Sequence, residues 1–219
     1  MGLHTFARAR LARVASATVL ISSLLMGCKR EEQTGFNLSN PRAAAITFIV
    51  ALENGDAATA RKAASAGGLE WDLVDAMADA TSGMRKLRAA AVNRFGKDAD
   101  RIIDPRTPLN VSAKLKDADV AGDEHSATVT PKDGQNVIHL KHDEEGWKVD
   151  VGTLTRGQDI TNVIPTFHSV GKAAATVGKE IDEGKYNSVA EVQAALDRAA
   201  MAELIRLRDT TAPSTQGVP

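Results

Sequence analysis

The sequence predicts an α+β protein in which N-terminal helices pack on a curved antiparallel meander of four strands, followed by a C-terminal helical hairpin. Apolar residues recur at spacings of three and four between residues 40 and 95, which is the period of buried helices. Between residues 111 and 151, short β-rich runs are separated by glycine beside an acidic residue, as in hairpins. The helical period returns after residue 160.

The first 27 residues have the layout of a bacterial secretory signal. Arg8, Arg10 and Arg13 precede an apolar run over 14–25 that is too short to remain as a membrane-spanning helix. The next residues, Leu25-Met26-Gly27-Cys28, resemble the lipobox of bacterial lipoproteins. That resemblance implies that the chain is cut before Cys28 and that this cysteine carries the acyl chains, palmitate among them.

A lipidated Cys28 would hold the protein on a membrane, since each buried methylene contributes about 0.8 kcal/mol. Lys29 follows it, whereas inner-membrane lipoproteins of enteric bacteria carry Asp there, so the resemblance favours the outer membrane facing the periplasm. Cys28 is the only cysteine, so its lipidation would exclude disulfides and thiolate chemistry. Without residues 1–27 the chain has 24 basic against 28 acidic residues, which argues against a nucleic-acid partner.

The sequence divides into five segments. We predict a signal peptide over 1–27, a lipidated flexible tether over 28–39, an α+β domain over 40–151, a helical hairpin over 152–208 and a disordered tail over 209–219.

Helix boundaries in the α+β domain are marked by capping residues. Asn40 followed by Pro41 predicts a helix start, and Asn54-Gly55 predicts its end. Asp56 predicts the cap of a short second helix that extends to about Ala64. A stripe from Trp71 to Phe95 predicts one long third helix over 70–95.

The strands are expected to begin near Val111. The four β-rich runs are VSAKLKDADVA, HSATVTP, NVIHLKH and GWKVDV. In the last run Trp147, Val149 and Val151 alternate with Lys148 and Asp150, which predicts one face against the helices and one against water or a partner.

The C-terminal part is predicted to be two antiparallel helices. One apolar stripe runs from Ile160 to Ile181 and ends at Gly184, and Ser188 with Glu191 forms a capping box that opens a last helix to about Arg208. The hairpin either packs as a lid on the sheet or protrudes as a docking arm, and the sequence leaves both open.

Two motifs carry a resemblance to a known fold over residues 40–151. They are Ala51-Leu52-Glu53-Asn54-Gly55-Asp56 after the first helix and Gly146-Trp147-Lys148-Val149-Asp150 in the last strand. With their order of elements they resemble the nuclear-transport-factor-2-like (cystatin-like) fold, in particular envelope lipoproteins of unknown function. The resemblance implies a cone-like sheet curled around the long helix, with a mouth for small ligands or for dimerisation. Neither motif is catalytic.

Enzymes of that fold place Asp, His or Tyr inside the cone, but no motif places such a residue here. His125 lies by a turn, His139 and His142 lie in the third strand, and Tyr186 lies between helices. Residues three apart on a strand face opposite sides, so His139 and His142 do not predict a metal site.

Two partial motifs do not predict a functional site either. Asp117, Asp119 and Gly122 imitate a calcium loop, but Ala121 and Thr128 stand where ligands are required. Ser169-Val170-Gly171-Lys172 matches S-x-x-K without its companion motifs. We therefore expect no metal, no cofactor and no catalytic residue.

The sequence thus predicts a lipid-anchored, non-catalytic module of the cell envelope that binds a small ligand or an envelope protein, with Cys28 as its one assigned functional residue. One alternative is a lyase- or isomerase-like enzyme, with His139 and Asp150 as cavity acid or base. Another is a structural envelope component that assembles through the C-terminal helices; a homodimer is also compatible with the sequence.

Overall fold

A computed structural model describes residues 35–103, 109–155 and 157–211, with side chains up to 206. The predictions for the signal peptide, for Cys28 and for most of the tether lie outside the described residues. Within them, the protein is α+β, with six α-helices and one open, mixed, five-stranded sheet.

The helices and strands follow in the order α-α-β-α-α-β-β-β-β-α-α. The helices are Pro41–Asn54 (α1), Ala57–Lys62 (α2), Glu70–Phe95 (α3), Val111–Leu115 (α4), Ile160–Asp182 (α5) and Val189–Thr211 (α6). The strands are Ala64–Ser65 (β1), Asp119–Gly122 (β2), Ser126–Thr130 (β3), Ile138–Asp143 (β4) and Gly146–Asp150 (β5). Short 3₁₀ segments follow α3 and β5, at Gly96–Arg101 and Val151–Thr153.

The predicted caps of the first two helices are present. The Asn40 side chain accepts from the Ala43 N–H at 2.9 Å, and Asp56 accepts from the Thr59 N–H at 2.9 Å. Gly55 ends α1 with φ of 72°, a backbone conformation that favours glycine. Helix α3 spans Glu70–Phe95, as the apolar stripe predicts.

The sheet has five strands rather than the predicted four. Its order is β1-β5-β4-β3-β2, in which β2 to β5 form the expected antiparallel meander. The added strand, β1, pairs in parallel with β5, with Ala64 opposite Val149 and Ser65 opposite Asp150. A strand of two residues carries no alternation of its own, so its pairing depends on a partner about 85 positions away in the chain.

The start of the predicted first meander strand is wrong, because Val111–Leu115 forms helix α4 and β2 begins only at Asp119. The alternation of Val111, Ala113 and Leu115 with polar residues resembles a strand. The helix is stabilised from outside the segment, since Glu53 of α1 accepts hydrogen bonds from the Ser112 N–H and hydroxyl at 3.1 and 2.8 Å.

The expected cone around the long helix is also corrected. The sheet is open, and α1 is the helix that lies along it, in contact with β3, β4 and β5. Helix α3 packs instead on α1 and, over most of its length, on α5. The large residues buried between α1 and the sheet include Phe48, Leu140, Val129 and Val149.

The buried apolar residues form two clusters. The sheet core joins α1, α2, the strands β1, β3, β4 and β5, and the first half of α3, which contributes Leu73, Val74 and Ala78. The helical core joins the second half of α3, the 3₁₀ segment after it, α5 and α6, and its largest members are Leu87, Ile103, Ile181, Val177 and Val192.

Glycines allow α3 and α5 to approach closely. A Cβ added at Gly83 would lie 2.2 Å from the Gly171 carbonyl oxygen, and one at Gly171 would lie 2.6 Å from the Asp79 carbonyl carbon. Gly178 meets the Leu87 backbone farther along, so the two helices run parallel. Small residues thus bring backbone against backbone at this crossing.

The C-terminal helices form the predicted antiparallel hairpin, and the structure defines its packing. Ser169 of α5 is buried and donates to the Ala200 carbonyl of α6 at 2.8 Å, while Gln193 donates to the Arg101 carbonyl at 2.6 Å. With α5 along α3, the hairpin is part of the folded body, neither a lid on the sheet nor a protruding arm. Helix α6 continues to Thr211, three residues beyond the predicted end.

Candidate functional site

An apolar cleft of about 220 Å³ lies where α1, α3 and α4 meet the start of β4. Its described lining is mainly aliphatic, with Glu53 as the one charged residue. The complete described lining is Ile49, Leu52, Glu53, Met77, Thr81, Val111, Asn136, Val137, Ile138, Thr153 and Leu154. Apolar concave surfaces with a few polar groups are the usual form of small-ligand sites. We call it the apolar cleft.

Each wall of the apolar cleft is set by local structure. Ile49 and Leu52 lie one turn apart on α1, and Met77 and Thr81 lie one turn apart on α3, so each helix directs two side chains to the same side. Asn136 has φ of 57° in the turn before β4, which places the following residue, Val137, at the rim with 38% of its surface exposed.

Glu53 is the charged group of this lining and is buried, with only 7% of its surface exposed. Its carboxylate accepts from Ser112 on both oxygens, the backbone N–H reaching one and the hydroxyl the other. The nearby Arg85 guanidinium donates instead to the Glu53 main-chain carbonyl at 2.9 Å. Two carboxylate oxygens offer about four acceptor sites, so these described donors leave acceptor capacity.

The motif Ala51–Asp56 therefore builds this part of the molecule. Ala51 and Leu52 are buried in the sheet core, Glu53 caps α4, and Asn54 accepts from Arg85 at 3.4 Å. Gly55 and Asp56 end one helix and begin the next. The sequence did not show that Glu53 lines a cleft, because its partner Ser112 is 59 residues away.

The second motif, Gly146–Asp150, has a structural role as well. The Trp147 N–H donates to the Leu38 carbonyl and the Val149 N–H to the Ala63 carbonyl, both at 2.9 Å. Gly146 has φ of 120°, and a Cβ there would lie 2.7 Å from the Leu38 carbonyl oxygen. A hydrogen bond with Glu145 raises the pKa of Lys148, which also pairs with Asp143.

The candidate residues named from the sequence do not converge on the apolar cleft. His125 is exposed in the β2–β3 turn, and His139 is exposed on the outer face of β4. His142 packs its ring 5.0 Å from that of Trp147. Tyr186 donates its hydroxyl to Glu180 between α5 and α6, and burial raises the pKa of Tyr186.

His139 and Asp150, the nominees for an enzyme, lie on the outer face of the sheet. Leu140 of β4 pairs with Val149 of β5. His139 precedes Leu140 and Asp150 follows Val149, so in this antiparallel pair His139 and Asp150 are neighbours. Asp150 forms an ion pair with Lys141 at 2.8 Å. In the S-x-x-K match, Ser169 bonds Ala200 and Gly171 meets α3, so both residues serve helix packing.

A polar groove formed by α3, α5 and α6 was not predicted from the sequence. His168 Nδ1 lies 3.0 Å from Asp79 Oδ2, and Lys172 pairs with Glu203 at 3.0 Å. The pKa of Glu203 is lowered to about 2, mainly by its hydrogen bond with the Arg206 guanidinium and further by the one with Lys172. The packing of α5 on α3 and of α6 on α5 brings these residues together, so no local pattern marks the groove.

The described residues hold neither a metal-binding cluster nor a membrane-spanning helix. No group of three or more His, Cys, Asp or Glu side chains in the described ranges is arranged to hold a metal ion. Of the helices that the structure describes, none combines the length and apolar character needed to cross a membrane.

Comparison with known protein families, with characterised proteins and with solved structures finds no match to this chain.

Proposed function

We propose that this protein is a lipid-anchored lipoprotein of the bacterial cell envelope and acts as a non-catalytic module that binds a small ligand in the apolar cleft. The observation that carries the binding proposal is a concave, mainly aliphatic surface with one buried carboxylate, at the edge of the sheet core. The lipobox-like Leu25–Cys28 carries the anchoring proposal.

The size of the cleft limits the ligand. At about 30 Å³ for each water-sized group, 220 Å³ holds on the order of seven non-hydrogen atoms. A six-carbon chain with one polar end therefore matches the space. Such a small ligand gains little free energy, so we expect dissociation constants on the order of millimolar.

Methionine methyl NMR on the full-length chain with Cys28→Ser tests binding without lipid or detergent. Met77 lines the cleft, and Met201 is 60% exposed on α6 and serves as an internal reference. With 1-hexanol as the neutral probe, we expect the Met77 methyl signal to shift with saturation and the Met201 signal to stay.

Two valine variants provide a matched control for that titration. Val137→Trp should block the cleft, whereas Val120→Trp, at a valine of similar exposure (41% against 38%) outside the lining, should not. A Met77 signal that ignores 1-hexanol in the unblocked chain would remove the cleft as a ligand site.

The anchor has its own test. Expressed in a bacterial host, the chain should lose residues 1–27, gain acyl mass and enter the detergent phase, and the Cys28→Ser chain should do none of these. An unacylated wild-type chain in the aqueous phase would contradict the anchoring proposal and leave the binding proposal standing.

A further inference from the structure

We infer that the ligand of the apolar cleft is a small aliphatic amine, whose ammonium group meets Glu53 while its hydrocarbon chain lies against the aliphatic walls. This inference rests on the proposed binding function and adds the charge of the ligand. Glu53 is the one charged side chain among the described lining residues, so their charge is negative.

The geometry of Glu53 suits a ligand that carries hydrogen-bond donors. Both described hydrogen bonds to the carboxylate come from one residue, Ser112, where α4 begins. The carboxylate is held by these two bonds and is therefore pre-positioned rather than mobile. A buried carboxylate is stable only when it is well hydrogen-bonded, and an ammonium group supplies up to three further N–H donors.

The rest of the lining selects the hydrocarbon part. The lining includes the aliphatic side chains of Ile49, Leu52, Met77, Ile138 and Leu154, so a methylene chain in the cleft would contact aliphatic carbon. The other polar lining residues, Thr81, Asn136 and Thr153, are neutral. Thr153 already donates its hydroxyl to the Asp150 carbonyl at 2.7 Å. A carboxylate ligand would thus face Glu53 without a described cation in the lining.

The experiment compares three probes of equal chain length, 1-hexanol, hexylamine and hexanoate, by the Met77 methyl shift in the full-length Cys28→Ser chain at pH 7. We expect hexylamine to bind about tenfold more tightly than 1-hexanol and hexanoate to bind more weakly than either. Added salt should weaken hexylamine binding and leave 1-hexanol binding unchanged, because only the ammonium pairs with a charge.

Glu53→Gln tests the residue itself, since it keeps the shape and two acceptor sites but removes the charge. We expect it to bind hexylamine no more tightly than 1-hexanol. The salt dependence of hexylamine binding in the chain that keeps Glu53 is the second measurement, which covers the case in which Glu53→Gln does not fold. Hexylamine binding that does not respond to salt would contradict the pairing of an ammonium group with Glu53.

The outcomes separate the two proposals. If 1-hexanol binds and hexylamine binds no more tightly than 1-hexanol, the inferred ligand class is wrong and the binding function stands. The ligand class is also wrong if Glu53→Gln keeps the full preference for hexylamine. If none of the three probes shifts the Met77 signal, the proposed binding function itself fails.

Discussion

The sheet core and the helical core of this molecule are built on different principles. The sheet core is filled by large side chains such as Phe48, Leu73 and Leu140, and its helix ends are fixed by side-chain caps. The helical core also holds large side chains such as Leu87 and Ile181, but its two long helices cross at glycines, so that main chain meets main chain at Gly83 and Gly171. The sheet core therefore depends on side-chain volume, and the helix crossing depends on the lack of it.

The two cores should therefore lose stability in response to opposite changes in side-chain volume. Removal of side-chain volume should damage the sheet core most. Addition of volume should damage the helical crossing most.

Phe48→Ala should have the largest effect. Phe48 is fully buried between α1 and the sheet, and its truncation leaves a large cavity, so we expect a loss of about 4 kcal/mol in the free energy of unfolding. Urea denaturation followed by circular dichroism measures it. A loss below about 1 kcal/mol would show that the sheet core does not depend on its bulky members.

Gly171→Ala should cost about 3 kcal/mol, although alanine is the better helix former, because the new methyl would lie 2.6 Å from the Asp79 backbone and force α3 and α5 apart. Gly67→Ala is the matched control, since nothing lies within 4 Å of a Cβ there and its φ is not positive. Equal stabilities of the two variants in the same denaturation would refute the close crossing.

Asp56→Ala should cost about 1 kcal/mol through loss of the α2 cap to the Thr59 N–H. Asp56→Asn keeps a capping oxygen and should remain close to the wild type. If both variants lose the same amount, charge rather than capping supports this helix start. Thermal unfolding distinguishes these results.

Glu203 should give the smallest effect, because its partners Lys172 and Arg206 are both more than half exposed and water screens the ion pairs. This effect should depend on pH. The pKa of Glu203 is about 2 in the folded protein against an ordinary 4.5, so the ionised form is favoured by folding. The stabilisation is present above pH 4.5 and is lost as the pH falls towards 2. The stability difference between wild type and Glu203→Gln should thus shrink from pH 7 to pH 3; a constant difference would contradict the ion pairs with Lys172 and Arg206.

Local sequence patterns predicted most elements but few of the contacts between them. The stripe in Glu70–Phe95 and the caps at Asn40 and Asp56 are short-range features, and the structure has them in place. Helix α4 was mistaken for a strand because Glu53, which caps it, comes from α1. Strand β1 was missed because its two residues depend on β5.

The candidate site could not be predicted from the sequence, because it also depends on contacts between distant elements. Ile49, Met77 and Val137 line one cleft, yet each belongs to a different element, and in the sequence all three are ordinary apolar residues. Glu53 is one acidic residue among 28 Asp and Glu. Glu53 differs from most of the others because it is buried. That burial depends on how α1, α3 and α4 pack, and the neighbouring residues in the sequence do not show it.

The attachment of the described N-terminal segment to β5 defines a path for mechanical force. The Leu38 carbonyl accepts from the Trp147 N–H, and Thr47 is bonded to both the N–H and the carbonyl of Asn37. A pull on the chain before residue 38 would load these bonds together with the sheet, rather than unwinding α1 from its end. In a single-molecule stretching experiment, the domain should resist extension from this end with one abrupt rupture, whereas a pull on α6 should peel it away turn by turn.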